Sequence, residues 1–237
     1  MFPLKDDLPA HAAPVMTVSI ITMNVLVFLY QMALQLGISI EVDNPPHAIE
    51  TARAFMLEFG LVPCRLTDLC AYPEDLPSPI FTIFSSMFLH GGFFHIGGNM
   101  LYLWIFGNNV EDTLGHARFA VFYLLSGVAA AATQVLAAPA SEIPMIGASG
   151  AVSGVLGAYL LLFPHARVLT LVIFGFFWRL VSIPAVVVLG FWIVLQILNG
   201  LGSFGEAGAV AWFAHIGGFF AGMLFLLVLR PSTLIAR

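Results

Sequence analysis

The sequence predicts an all-α protein, a polytopic membrane helix bundle with six transmembrane helices. Hydrophobic residues make up 60% of the 237 residues and charged residues only 9%, whereas soluble domains carry about 45–50% and about 25%. The mean hydropathy is correspondingly high, at +0.98. Each span needs roughly 20 apolar residues, so a chain of this length has room for about six spans with short loops.

Six apolar stretches, separated by charged residues and prolines, define the predicted spans. They cover about 15–36, 88–108, 119–137, 149–163, 182–199 and 210–229. A further apolar piece, about 168–177, is too short to cross a bilayer, and we expect it to lie in the membrane interface or a loop. The first stretch lacks a strongly basic flank and a small-residue cleavage site, so we expect it to be retained as a span. The chain then consists of a short segment 1–14, a membrane-embedded domain 15–230 with a first loop at about 37–78, and a short tail 231–237.

The positions of Lys and Arg predict the orientation, because these residues concentrate in cytoplasmic loops. Of the eight, six lie near the two ends or in loops 2 and 4, and two lie in the first loop. We therefore expect both termini in the cytoplasm, beneath the plasma membrane, and the first loop outside. That loop contains Cys64 and Cys70, which either form a disulfide there or remain two free thiols. A net charge of -5 without a Lys/Arg-rich tract argues against nucleic acid as a partner.

Unusual polar residues recur at one depth of the predicted bundle. His90, His95 and Asn99 belong to the second span, Ser149 to the fourth and His215 to the sixth, each near the outer end. Polar groups in a membrane are costly unless they face the bundle interior or a water-filled cavity. Each one alone is better explained by an interhelical hydrogen bond. Their convergence at a similar depth favours a shared site.

The fourth span is too short to cross the bilayer. Residues 149–163 extend about 22 Å as a helix, at about 1.5 Å per residue, against a hydrocarbon core of roughly 30 Å. If residue 163 reaches the inner interface, the helix begins inside the membrane and the preceding loop must dip in to meet it. This geometry predicts a water-filled pocket that opens outward, with Ser149 at its floor.

Ser149 lies where the start of a helix can stabilise negative charge. Gly147 permits a tight turn before the helix. Free backbone N–H groups and the positive end of the helix dipole near Ser149 favour an anion, such as the oxyanion of an acyl-transfer reaction. A serine in this position is also common as an ordinary helix cap.

Two glycine-bearing helix faces predict which spans meet. They comprise Gly150, Gly154 and Gly157 on the fourth span, and His215, Gly218 and Gly222 on the sixth. Small residues let two helices approach closely. If these faces meet, His215 lies beside Ser149 and can act as its general base. Because the spans offer no carboxylate to orient the histidine, the expected arrangement is a Ser149–His215 dyad.

The second span supplies further donors. His95 and Asn99 are spaced i, i+4, so they share a helix face, and both are suited to donate hydrogen bonds to a developing oxyanion. A metal site formed by His90, His95 and His215 is disfavoured, because no Cys or acidic residue completes the ligand set. We expect neither a metal nor a cofactor.

At these residues the sequence resembles the rhomboid family of intramembrane serine proteases, of the bacterial type. The matching stretches are HGGFFHIGGN at 90–99, GASG at 147–150, and AHIGG at 214–218 followed by Gly222. The resemblance covers about 81–229 and implies a six-helix fold and single-span membrane proteins as substrates, cleaved near the outer membrane surface. It implies these site residues: Ser149 and His215 as the dyad, His95, Asn99 and the Ser149 N–H as the oxyanion hole, and Gly147, Gly150 and His90 as supporting residues.

Two positions depart from the family pattern. Many members have a tyrosine four residues after the catalytic serine, stacked on the histidine, and here that position is Ser153. The loop before the second span often has a Trp-Arg pair, and here it reads PIFT at 79–82. Both bear on what supports His215 and on the structure of the first loop.

Two other functions use the same features. One is an inactive relative that binds transmembrane clients, although such proteins usually lack the serine or the histidine. The other is a transporter or channel built on the half-span and cavity, although we find neither a repeat of the fourth span nor an intramembrane carboxylate. We also expect the Gly-rich loop 200–208 to be mobile and to help gate substrate entry. The oligomeric state cannot be read from the sequence.

Overall fold

The computed structural model describes residues 2–37, 48–73, 76–175, 177–203 and 210–230, and within these ranges the chain is mostly helical. The tail 231–237, most of the loop expected to gate entry, and part of the first loop lie outside the described residues. The helices are α1 (Val15–Gln35), α2 (Ala48–Phe59), α3 (Pro63–Leu66), α4 (Pro79–Ser85), α5 (Phe93–Tyr102), α6 (Asn108–Leu114), α7 (His116–Ala137), α8 (Ser149–Leu162), α9 (Ala185–Gly202) and α10 (Trp212–Leu229). A 3₁₀ turn, Ser86–Phe88, follows α4, and a π-helical segment, Leu103–Gly107, joins α5 to α6.

The helices are those of a multi-pass membrane protein. Among the described residues, α1, α7, α9 and α10 are long and apolar enough to span a bilayer. A fifth span results if Pro79–Phe88 and Phe93–Leu114, which meet at 83°, are counted as one bent element. Helix α8 has only 14 residues, about 21 Å of helix, so its short length agrees with the sequence. The count of six spans, which requires α8, stays a prediction.

Helix α8 is the central element of the bundle. Every residue from Ala151 to Tyr159 is buried, as expected for a helix enclosed on all sides. It packs on α10 through the two predicted glycine faces. A Cβ on Gly218 would overlap the carbonyl of Gly150, and one on Gly222 would overlap the backbone of Gly154. The two backbones therefore touch directly, which brings the start of α8 against the start of α10.

The chain is mostly helical, as predicted for a membrane helix bundle, but it is not strictly all-α, because it also contains a three-stranded antiparallel sheet. Its strands are β1 (Phe2–Asp6), β2 (Arg167–Phe174) and β3 (Phe177–Pro184), in the order β1-β2-β3. The piece at 168–177, expected in the interface or a loop, forms β2 and the turn into β3. Its run of aliphatic and β-branched residues suits a strand, and Gly175 supplies the positive φ, 58°, of the turn. The fifth span starts at Ala185 rather than at 182, because residues 182–184 belong to β3.

The second span also differs from its predicted bounds of 88–108. The helix begins at Phe93 and continues, through the π-helical segment, to Leu114. Glu111, which lies between the predicted second and third spans, is buried within this helix. Its carboxylate accepts hydrogen bonds from the backbone N–H groups of Met16, at 2.8 Å, and Thr17, at 2.7 Å, and from the Thr17 hydroxyl at 2.7 Å. Glu111 thus caps the start of α1, whose first N–H groups have no partner within the helix.

The first loop, which is closed internally by a disulfide, lies against the loop that precedes α8. Of the two alternatives for Cys64 and Cys70, the structure has the bridge. The backbone N–H of Cys64 donates to the carbonyl of Ser141 at 3.1 Å. Leu61 and Met145 pair through two backbone hydrogen bonds of 3.1 and 2.7 Å. These contacts hold the segment that leads into Ser149.

Candidate active site

Ser149 and His215 are in hydrogen-bond contact. The Nε2 atom of His215 lies 2.9 Å from Oγ of Ser149. Ser149 is the first residue of α8, and the chain enters the helix through Gly147, whose φ is 118°. A side chain at 147 would be strained and would lie 2.6 Å from Nε2 of His95. Close packing of α8 on α10 therefore produces the serine–histidine pair that the glycine faces predict.

The second ring nitrogen of His215 contacts a residue that the sequence reasoning missed. Nδ1 of His215 lies 2.8 Å from Oε1 of Gln196 on α9. The rings of Trp192 and Trp212 lie beside the imidazole, at centroid distances of 5.9 and 6.2 Å. The spans offer no carboxylate for this position, and an amide occupies it instead. The sequence offered one signal, a glutamine in an apolar span, one helical turn after a tryptophan. In the structure this glutamine is buried.

The three polar residues of the second span lie together on the opposite wall. The side-chain nitrogen of Asn99 lies 3.0 Å from Nε2 of His90. The backbone N–H of Gly91 donates to Nδ1 of His95 at 3.3 Å, so the hydrogen of His95 is on Nε2. That N–H faces the Gly147 turn. The amide of Asn99 is oriented by His90 and keeps a second N–H for the cavity.

These groups surround one cavity of about 380 Å³. It is lined by Phe94, His95, Gly98, Asn99, Tyr102, Ile146, Ser149, Val152, Ser153, Leu156, Trp192, Val210, Ala211 and His215. Its walls are largely apolar, and the polar atoms converge near Ser149. Such a combination is typical of a ligand or active site.

Gly150 supports the site through packing and Ser153 through a hydrogen bond. A Cβ on Gly150 would lie 2.6 Å from Cβ of Ala130 on α7, so glycine allows the approach of three helices at the site. Ser153, at the position where the family often has tyrosine, donates a hydrogen bond from its hydroxyl to the carbonyl of Ser149 at 2.6 Å.

Among the described residues, no group of three His, Cys, Asp or Glu side chains is arranged to hold a metal ion.

The match to a known domain covers most of this architecture. The rhomboid domain matches residues 77–232, from α4 to the end of α10. The chain belongs to the rhomboid family. This rhomboid is 33% identical over 159 residues to rhomboid protein 1, mitochondrial, of Saccharomyces cerevisiae, a match that covers 64% of this chain and 42% of the yeast protein.

Two other relatives of this rhomboid are named as proteases. The rhomboid protease GluP of Bacillus subtilis is 32% identical over 133 residues, which are 56% of this chain and 24% of that protein. The rhomboid-type serine protease 2 of Emericella nidulans is 31% identical over 195 residues, which are 73% of this chain and 35% of that protein. The matches therefore span less than half the length of each of these three relatives. At the family level they support intramembrane proteolysis.

Proposed function

We propose that this rhomboid is a serine endopeptidase that hydrolyses peptide bonds in or near the transmembrane segments of single-span membrane proteins. The observation that carries the proposal is the 2.9 Å contact between Oγ of Ser149 and Nε2 of His215. It lies at the wall of a cavity within a membrane-embedded bundle. A nucleophile within hydrogen-bond reach of a base that is itself oriented is the signature of covalent catalysis.

The reaction begins with attack of Oγ of Ser149 on the carbonyl carbon of the substrate. The Oγ proton passes to Nε2 of His215, and the carbonyl oxygen becomes an oxyanion. The Nε2–H of His95, the free N–H of Asn99 and the backbone N–H of Ser149 donate to that oxyanion. His90 takes part only by fixing the amide of Asn99.

Collapse of the tetrahedral intermediate breaks the C–N bond. His215 returns its proton to the departing amine and leaves an acyl ester on Ser149. A water molecule then attacks the ester, gives its proton to His215, and releases the new carboxyl end while Oγ regains a proton. These steps use side chains and one backbone N–H of this chain together with a water molecule, so neither a metal nor another cofactor is part of the proposal.

The orientation belongs to the same proposal. With α8 counted as a sixth span, both termini lie on one side of the membrane. The excess of Lys and Arg on that side makes it the cytoplasmic one. The disulfide then lies on the opposite, oxidising side, and Ser149 opens toward that side of the plasma membrane.

A serine-directed fluorophosphonate tests the nucleophile without knowledge of the substrate. We expect the probe to phosphonylate Ser149 in detergent, with loss of fluoride, and peptide mass spectrometry to locate the adduct. Labelling should disappear in Ser149→Ala and fall strongly in His215→Ala. Ser19, an exposed serine on α1, provides the matched control, because Ser19→Ala should label like the wild type. Equal labelling of Ser149→Ala would exclude Ser149 as the activated serine.

A further inference from the structure

The environment of His215 contains an amide that decides which ring nitrogen carries the hydrogen. Gln196 is buried, at 7% exposure. Its Nε2 donates to the backbone carbonyl of Trp192 at 3.2 Å, and its Oε1 faces Nδ1 of His215 at 2.8 Å. The opposite amide rotamer would point Oε1 at the Trp192 carbonyl, so two acceptors would face each other. The oxygen of Gln196 is therefore held toward His215.

An acceptor at Nδ1 determines the tautomer of the ring. Because Oε1 cannot donate, Nδ1 must carry the hydrogen, and Nε2 presents its lone pair to the hydroxyl of Ser149. The indole rings of Trp192 and Trp212 wall the imidazole, so the ring cannot easily turn away. Helix α9 thus supplies both the hydrogen-bond acceptor and one of the walls.

We propose that Gln196 is a positioning residue for His215, and that a neutral amide on α9 does here what a carboxylate does in a Ser-His-Asp triad. This inference rests on the proposed function. It also explains how the site holds His215 with Ser153 in place of the tyrosine that often stacks on the histidine. Trp192 and Gln196, one helical turn apart on α9, both contact the ring and orient it.

The titratable groups around His215 are few. His95 and Tyr102 of α5 line the same cavity. Helices α8, α9 and α10 contain no acidic or basic residue other than His215. In α7 the charged and titratable side chains other than Tyr123 lie in its first turn, at the far end from the site. A new carboxylate at position 196 would therefore be the dominant charge next to the imidazole.

The test compares three variants in a cleavage assay with a single-span reporter. Gln196→Met keeps the size but removes the acceptor, and we expect kcat to fall about tenfold with KM unchanged. Gln196→Glu keeps an acceptor at this position, and its carboxylate stabilises the imidazolium form of His215. We therefore expect Gln196→Glu, unlike Gln196→Met, to be active at high pH. The acid limb of its pH–rate profile should move upward by about one pH unit or more.

Gln134 provides the matched control. Its side chain accepts a hydrogen bond from the backbone N–H of Ala214, at 3.2 Å, whereas the ring nitrogens of His215 bond Gln196 and Ser149. Gln134→Met should keep the wild-type pH profile. A Gln196→Met enzyme with wild-type rate, or a Gln196→Glu enzyme with an unshifted acid limb, overturns the positioning role. If Ser149→Ala is inactive in the same assay, that result leaves the proposed function intact, whereas an active Ser149→Ala refutes the proposed function itself.

An independent observation concerns the outer face of the sheet. The pairing register puts Phe2, Leu171, Ile173, Trp178 and Leu180 on one face, across all three strands. Four of them are exposed, with Trp178 at 73% and Ile173 at 63%. The opposite face includes Pro3, Asp6, Val168 and Thr170, which are buried against the helices. Strands β1 and β2 thus cover the bundle with one side, β3 is largely exposed on both sides, and the other face of the sheet presents an apolar patch.

The patch continues the lipid-facing surface of the spans. Strands β2 and β3 follow α8, and β3 leads directly into α9. The backbone N–H of Val186 donates to the carbonyl of Pro164 at 3.0 Å, which joins the start of α9 to the end of α8. Val186 and Val187, at the start of α9 directly after β3, are also exposed apolar residues. Tryptophan is enriched where protein meets the membrane–water interface. Exposed Lys5, paired with Leu169, adds a cation for lipid phosphate groups.

We infer that this face of the sheet lies in the headgroup region of the bilayer, at the end of the bundle opposite Ser149. Ile173 and Val172 are adjacent on β2 and point to opposite faces, so they form a matched pair. A nitroxide is attached to Ile173→Cys or Val172→Cys in nanodiscs of phosphatidylethanolamine and phosphatidylglycerol. The native cysteines are joined as a disulfide and do not react.

At 173 we expect loss of collisions with a water-soluble nickel chelate and retention of collisions with oxygen, which partitions into lipid. At 172 we do not expect the nitroxide to collide more often with oxygen than with the nickel chelate. Free access of nickel to 173 would refute the membrane contact. Spin–spin broadening at 173 that grows with the protein-to-lipid ratio would also refute it, because a second copy would then cover the patch.

Discussion

Ser149→Ala is expected to reduce cleavage of a single-span reporter by more than about 10³-fold in kcat. The substitution removes the only oxygen within hydrogen-bond distance of Nε2 of His215 among the described residues. The backbone changes little, because Ser149 makes no side-chain cap of α8. The loss should therefore be chemical rather than structural. Quantified product formation in liposomes, with thermal unfolding of each variant, measures both effects.

His215→Ala should cause a similar loss, and the double variant should be no worse than either single one. Residues that act as a unit in catalysis are strongly non-additive. Ser19→Ala, on the exposed side of α1, controls for removal of a hydroxyl. Undiminished cleavage by Ser149→Ala would show that the cut is made by another group or another protein.

The helix pairing that builds the site was predictable because it depends on residue size. Gly150, Gly154, Gly218 and Gly222 predict that α8 and α10 approach closely, and the structure has their backbones in contact. Ser149 and His215 then follow, since each precedes its glycine face on its own helix. The sequence was sufficient here because two helix backbones can come into contact only where both helix faces carry small residues.

The sheet could not be predicted from hydropathy. Residues 168–174 form an apolar run, and only their pairing with Phe177–Pro184 and with Phe2–Asp6 identifies them as a strand. The partner β1 lies more than 150 residues away in the sequence. Strand pairing of this range leaves no periodic signal in a short apolar run.

Two polar residues were misjudged or missed for a common reason. Glu111 lies outside the predicted spans, between the second and the third, and Gln196 lies inside the apolar fifth span without having been singled out. Each is buried, and each meets a partner from a distant element, the start of α1 for Glu111 and His215 for Gln196. A charge or amide in a membrane helix needs such a partner, but the sequence does not say which one it is.

Asn99→Ala is expected to lower kcat by about 10²–10³-fold while KM changes little. The free N–H of its amide faces the cavity beside Ser149, where negative charge develops only as the tetrahedral intermediate forms. Loss of an interaction that is made in the transition state and not with bound substrate reduces kcat and kcat/KM equally.

Asn199→Ala is the control for this prediction. It removes an amide that donates to the carbonyl of Leu195 in its own helix, at 2.7 Å, and it should keep the wild-type rate. His90→Phe should reproduce part of the Asn99→Ala defect, because the amide loses the ring nitrogen that orients it at 3.0 Å. A rise in KM at constant kcat in Asn99→Ala would instead assign this residue to substrate binding.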